Sequence, residues 1–363
     1  MLKPDIIVIG ASAGGLKAFE TIVSKLPSNL PAAVFIVWHI SPDYPSILPD
    51  ILARFTPLRV KHASGKEPIR PGHIYIAPPD HHMLVEWGNV RLSRGPKENR
   101  FRPAIDVLFR SAAVSYGERV IGVVLTGSLD DGAAGLYAIK ERGGIAVVQD
   151  PADALHSSMP RAAIKVVKVD HCVPILEMGV LLAHLVNKAI PVQEVNPVSD
   201  KMDIEVGIAR EDNGMDIGIM KLGELSPYTC PECHGVLMQL KEGSLLRFRC
   251  HTGHAYSLNT LLAEVTQSIE ESLWDGIRTI EESEILMLHT AKHLREMNEH
   301  EAADLLLQKA EDAKRRANLV RQAVMSNEIL SQDNVNEEVK INEEIKNSLM
   351  RVEKFTEDVD GRF

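Results

Sequence analysis

The sequence predicts an α/β protein: a doubly wound, mostly parallel, Rossmann-like sheet, then a small zinc-ribbon-like module and a C-terminal α-helical hairpin. Three observations carry this. Apolar, mostly β-branched runs alternate with stretches of helical spacing up to about residue 190. Three of the four cysteines, Cys230, Cys233 and Cys250, cluster in one short segment. From Ser257 onward apolar residues keep a helical period, and no proline follows Pro231. The expected segments are 1–190 for the α/β domain, 191–225 for a linker, 226–256 for the ribbon and 257–363 for the helical region.

The first strand is Asp5 to Gly10, followed at once by Ala11-Ser12-Ala13-Gly14-Gly15. Leu16, Phe19, Ile22, Val23 and Leu26 then repeat at helical spacing. Ala33 to Val37 is a second buried strand ending in Trp38-His39. Asp43 to Phe55 reads as a helix whose start Pro45 and Pro49 restrict. Leu58 to His62 and His73 to Ala77 read as strands, and Gly88-Asn89 joins a hairpin of Met83 to Trp87 and Val90 to Ser93. Ala104 to Tyr116 is an amphipathic helix, Val120 to Leu125 a very apolar strand, Asp131 to Arg142 a helix, and Ile145 to Val148 a strand. Pro160 to Val166 and Pro174 to Ala189 close the segment as helices.

The composition is that of an ordinary globular protein: 363 residues, 45% apolar and 25% charged. A net charge of −10 argues against non-specific nucleic-acid binding. No stretch reads as a membrane span or a signal peptide, and the clustered cysteines suit metal in a reducing compartment, so a cytoplasmic location is expected. Cys172, alone among apolar neighbours, reads as core.

Open parallel sheets carry their sites at the carboxyl ends of strands. Ser12 follows the first strand, His39 the second, and Asp130-Asp131 the strand ending at Leu125-Thr126-Gly127. Ser12, at a helix N-terminus in a glycine-rich turn, fits an N-cap, a phosphate loop or a nucleophile facing an oxyanion site. His39 alone fits a satisfied strand-end histidine, and either aspartate fits a helix N-cap. Their coincidence at strand ends points to nucleophilic acyl transfer by a serine, a histidine base and an orienting carboxylate.

Residues 4 to about 185 resemble the catalytic domain of the CheB-type protein-glutamate methylesterases of chemotaxis. The resemblance rests on Ile9-Gly10-Ala11-Ser12-Ala13-Gly14-Gly15, Trp38-His39-Ile40, Pro71-Gly72-His73-Ile74-Tyr75-Ile76-Ala77-Pro78, Arg102-Pro103-Ala104-Ile105-Asp106-Val107-Leu108-Phe109, Leu125 to Gly135, and Met159-Pro160-Arg161-Ala162-Ala163-Ile164, in the family's order. It implies hydrolysis of receptor glutamate methyl esters, with glutamine deamidation in some members. By resemblance Ser12 is the nucleophile, His39 the base and Asp131 the orienting acid, with no catalytic cofactor. The backbone N–H groups near Ala13 and Ser128 are expected at the oxyanion. The chain departs from the family at Ala13, where Thr is usual, and at Asp130, where Asn is usual; a second carboxylate there would raise the histidine pKa. Nothing before Ser12 has room for a receiver domain, so control by one in cis is not expected.

In the second half, Cys230-Pro231-Glu232-Cys233 and Cys250-His251-Thr252-Gly253-His254 form two knuckles, the pattern of a structural Zn²⁺ site. His254 is the expected fourth ligand, with His251 and His234 as alternatives. The 191–225 linker reads as irregular with a few short strands. Apolar stripes from Leu258 to Met297 and from Leu305 to Val324 read as a helical hairpin, one face of which would serve a homodimer or a partner. The charged tail from Ser331 reads as a further amphipathic helix or as partly disordered. The expected partners are a methylated, chemoreceptor-like protein and the methyltransferase or other signalling proteins that act with it. The alternative reading is non-catalytic: a phosphate- or nucleotide-binding module, or a scaffold acting through ribbon and helices.

Overall fold

The structure, a computed structural model, describes residues 3–40, 45–190, 197–211 and 214–327. The chain forms two compact units, Met1–Leu261 and Leu262–Phe363.

In the first unit the strands are β1 (Ile6–Ala11), β2 (Ala33–Trp38), β3 (Arg59–His62), β4 (Glu67–Pro68), β5 (His73–Ile76), β6 (His82–Glu86), β7 (Asn89–Ser93), β8 (Val120–Val124), β9 (Ile145–Gln149) and β10 (His171–Val173), then β11 (Glu224–Thr229), β12 (Val236–Glu242), β13 (Leu245–Cys250) and β14 (Ala255–Ser257). Its helices are α1 (Gly15–Val23), α2 (Leu48–Leu52), α3 (Ile105–Tyr116), α4 (Ala133–Glu141), α5 (Ser158–Val166), α6 (Ile175–Leu185) and α7 (Asp200–Ala209). The long helix α8 (Leu258–Glu296) begins in this unit, and α9 (His300–Met325) lies in the second.

Seven strands form one sheet in the order β10-β9-β8-β1-β2-β5-β3, and every pairing in it is parallel. Strand β1 is buried along its whole length because helices cover both faces. Alternation divides its side chains: Ile6 and Val8 join the core with Phe109, Leu136 and Ala163, while Ile7 and Ile9 pack with Phe19, Ile22 and Leu182. Strand order reverses at β1, between β2 and β8, which opens a crevice at their carboxyl ends. Gly10 is needed there: a Cβ would lie 2.3 Å from Ile105, so only glycine lets α3 press against β1.

Several expectations are corrected. Helix α2 is one short turn, and residues 43–44 of its expected start lie outside the described residues. Cys172 is exposed, because it sits on the edge strand β10 rather than in the core. Among its described residues the expected linker carries no short strand before β11; instead α7 forms there, N-capped by Ser199, and buries Met202, Val206 and Ala209. Its Glu205 is buried too, held by arginines distant in sequence. Strands β11 to β14 form a separate antiparallel sheet, the ribbon.

In the second unit α8 and α9 run antiparallel, since Arg295–Asp304, Glu281–Arg321 and Thr266–Asn327 are joined in inverse order. The apolar stripes are covered only in part. Alanines 303, 310, 313 and 317 of α9 are buried, while Ile269, Ile285, Leu286 and Leu305 are exposed. Small side chains allow close helix approach and leave large ones outside it. The tail from Ser331 lies outside the described residues.

Candidate active site

The turn after β1, the end of β2 and the loop after β8 meet at the strand-order reversal. The Ser12 N–H donates to the Thr126 carbonyl (3.0 Å), and the Ser12 carbonyl accepts from Gly15 N–H (3.0 Å) and Trp38 Nε1–H (2.9 Å). The His39 N–H donates to the Ala11 carbonyl at 3.3 Å, extending the β1–β2 register by one step. Gly127 lies against the nucleophile candidate: a Cβ on it would be 2.8 Å from Ser12 Cβ and 2.1 Å from Met159 Sδ. Ser12 is not the cap of α1. That position is Gly14, at φ 76°, with no side-chain cap bond.

The His39 side chain is buried, and its Nε2 bonds Asp131 Oδ2 at 2.8 Å. Its ring stacks on Phe101 with centroids 3.6 Å apart. The other ring nitrogen, Nδ1, is buried and has no hydrogen-bond partner among the described residues. With Asp131 ionised, Nε2 carries the proton and Nδ1 the basic lone pair.

Asp131 does not cap its own helix, α4, whose N-cap is Gly132. It accepts the N–H groups of Ile105 (2.7 Å) and Asp106 (3.2 Å) at the start of α3, plus Asn99 Nδ2 (3.0 Å). Asp106, in the first turn of α3, reciprocates by accepting Gly132 N–H (3.0 Å) and Gly135 N–H (2.6 Å) at the start of α4. Two helix N-termini thus face two carboxylates. Burial alone would raise the Asp131 pKa, but the bonds from His39, Asn99 and Ile105 outweigh it and hold the group below the usual range. Burial and then the Asp131 charge push Asp106 well above that range, so the pair carries one charge in preference to two.

Asp130 turns toward the C-terminal segment. Its carboxylate accepts Ser257 Oγ–H (2.6 Å), Asn259 Nδ2–H (3.2 Å) and Thr260 Oγ1–H (3.3 Å). Burial, with the Asp131 charge adding, raises it to about 6. A carboxyl raised on folding gives stability that is fully present below its unfolded value and lost as pH rises through its folded one. The protein should therefore lose melting temperature between about pH 4 and pH 6 through this group. Asp130→Asn should flatten that slope in a calorimetric pH series; an unchanged slope would remove Asp130 as its cause.

Ser128 is exposed and Ala13 half-buried, and neither backbone N–H is spent on a backbone hydrogen bond among the described residues. The sequence reading missed Asn99 and Phe101, which lie within three residues before Arg102-Pro103. It quoted Asp106 without giving it a role.

In the ribbon, Cys230, Cys233, Cys250 and His254 bring their ligand atoms within 4.8 Å of one another. Cys233 and Cys250 Sγ are 3.6 Å apart, and His254 Nδ1 lies 3.7 Å from Cys230 Sγ and 3.6 Å from Cys250 Sγ. Disulfides need sulfurs at about 2.05 Å. Four ligands around one Zn²⁺ with bonds of about 2.0–2.3 Å would sit about 3.5–3.8 Å apart, so these residues fit that ion.

The sequence profile of the CheB methylesterase family matches residues 7–182. A relative from Leptospira interrogans is 42% identical over 182 residues, covering 50% of this chain and 94% of its own. Protein-glutamate methylesterase/protein-glutamine glutaminase 2 of Anaeromyxobacter dehalogenans is 39% identical over 183 residues, which is 50% of this chain and 54% of that protein. The Thermotoga maritima CheB methylesterase catalytic domain is 33% identical, with 51% of this chain and 100% of that one covered at a TM-score of 0.49. The chain belongs to the CheB methylesterase family.

Proposed function

We propose that this protein hydrolyses methyl esters of protein glutamates, with Ser12 as nucleophile, His39 as base and Asp131 as orienting acid. The observation that carries the reading is the His39 ring: Nε2 is fixed to a buried carboxylate and Nδ1 is left buried and unpaired, on a residue whose backbone N–H is bonded to Ala11, next to Ser12. Ser12 Oγ attacks the ester carbonyl as Nδ1 takes its proton, and the tetrahedral oxyanion faces the Ala13 and Ser128 N–H groups. Collapse breaks the C–O bond, and His39 returns the proton to departing methanol. Water repeats the attack on the acyl-enzyme and leaves the glutamate and free Ser12. With ammonia as leaving group, the same steps deamidate glutamine, as the relatives' glutaminase name suggests. The substrate class is a methylated chemoreceptor. The test is methanol release from a methylated receptor, with intact-mass labelling by a serine-directed fluorophosphonate. One adduct that disappears in Ser12→Ala is expected; labelling elsewhere, or none on folded protein, rejects the reading.

Cys230, Cys233, Cys250 and His254 would hold a structural Zn²⁺, which would lock two knuckles of a small sheet. One equivalent of zinc per chain is expected by elemental analysis, lost in Cys250→Ser together with ribbon stability. A cytoplasmic location agrees with reduced, clustered cysteines, and no helix among the described residues is long and apolar enough to cross a membrane.

A further inference from the structure

Asn99 joins the ribbon to the acid of the site. Its backbone N–H donates to the Ala255 carbonyl at 2.8 Å, and the Ala255 N–H donates to the Lys97 carbonyl at 3.2 Å, so β14 lies alongside residues 97–99. Its side-chain oxygen accepts the Ser257 N–H at 2.9 Å. Its Nδ2 donates to Asp131 Oδ1 and Asp106 Oδ2, each at 3.0 Å. The Ser257 N–H therefore decides which way the amide faces. A flipped amide would set its oxygen against the Asp131 carboxylate and its NH2 against the Ser257 N–H. The residue is 4% exposed, and its backbone lies at φ 50°, where asparagine is tolerated best after glycine.

We propose that Asn99 is a positioning residue for Asp131, and that strand β14 of the cysteine-bearing module sets it. Asp131 Oδ2 bonds His39, while Oδ1 is held by Asn99 and the Asp106 N–H. Without the amide the carboxylate loses one of its two Oδ1 anchors and turns away from His39. The inference rests on Ser12, His39 and Asp131 acting together. It gives the ribbon a role in the chemistry without placing any of its residues at the substrate.

The experiment uses the full chain with zinc, Asn99→Ala, and Asn99→Gly, which removes the amide without strain at the positive φ. Fluorophosphonate labelling should slow by about 10–100-fold, the scale of a lost bond to a buried charge. Ester turnover should fall in kcat with KM kept. The low-field proton signal of the His39 ring N–H should shift or broaden, a readout independent of Ser12. Removing zinc from wild type should slow labelling similarly and add little in Asn99→Ala, since both act through one contact. Folded variants with wild-type labelling and an unmoved ring proton overturn the proposal. Equal slowing by chelation in wild type and Asn99→Ala overturns the ribbon's part in it. If wild type is never labelled, the triad reading fails, and the ring proton still decides whether Asn99 holds Asp131.

Discussion

Ser12→Ala is expected to lower glutamate methyl ester hydrolysis by about 10⁴–10⁶-fold with folding unchanged. The selectivity of that loss follows from how Ser12 is held. Its turn is fixed by backbone groups, through Thr126, Gly15 and the Trp38 ring N–H, and alanine keeps all of them. The hydroxyl supplies neither the cap of α1, which is Gly14, nor any of these bonds. Removing it should cost chemistry alone. His39→Ala should cost about as much, because the nucleophile then has no base, and the double variant should be little worse than either single one. Turnover that survives Ser12→Ala at more than a hundredth of the wild-type rate would mean another nucleophile or a water-based route.

Glu205→Ala should destabilise the first unit by about 3–5 kcal/mol, seen as a melting temperature lower by about 10 °C. Glu205 and Glu98 sit with Arg110, Arg247 and Arg249 in a cluster whose side chains are at most 4% exposed. Arg249 bonds Glu98 at 2.6 Å and Glu205 at 2.9 Å, and Arg110 bonds Glu98 at 3.2 Å and Glu205 at 3.1 Å. Burial alone would raise Glu205, but Arg110, Arg247 and Arg249 hold it at about 2. Deleting it leaves three buried guanidinium groups sharing one buried carboxylate. By contrast Asp275→Ala breaks an exposed pair with Arg278 and should change stability by less than about 1 kcal/mol. A Glu205→Ala protein that melts with wild type would show that water or a rearranged side chain neutralises the cluster. Because Arg110 lies on α3, Glu205 on α7 and Arg249 on the ribbon, loss of the cluster should also loosen β14 and the Asn99 contact.

The sequence by itself determined the alternation that makes the parallel sheet and the three strand ends that carry Ser12, His39 and Asp131. It also determined the two knuckles that carry Cys230, Cys233, Cys250 and His254. These are local signals: β-branched runs, glycine turns and cysteine spacing are each set within about ten residues. What only the tertiary structure decided is what those groups meet. Asn99 reads in sequence as one polar residue among charged neighbours, and Phe101 as one more aromatic beside them. Nothing local says that one donates to Asp131 or that the other stacks on His39. Glu98, Glu205, Arg247 and Arg249 read as solvated charges, because burial of a charge depends on partners up to 151 residues away. The same absence of distant partners hid α7, whose charged face is satisfied by arginines of α3 and β13. Periodicity fixes which face of an element is apolar, whereas pairing of buried polar groups is settled when separate elements close on one another.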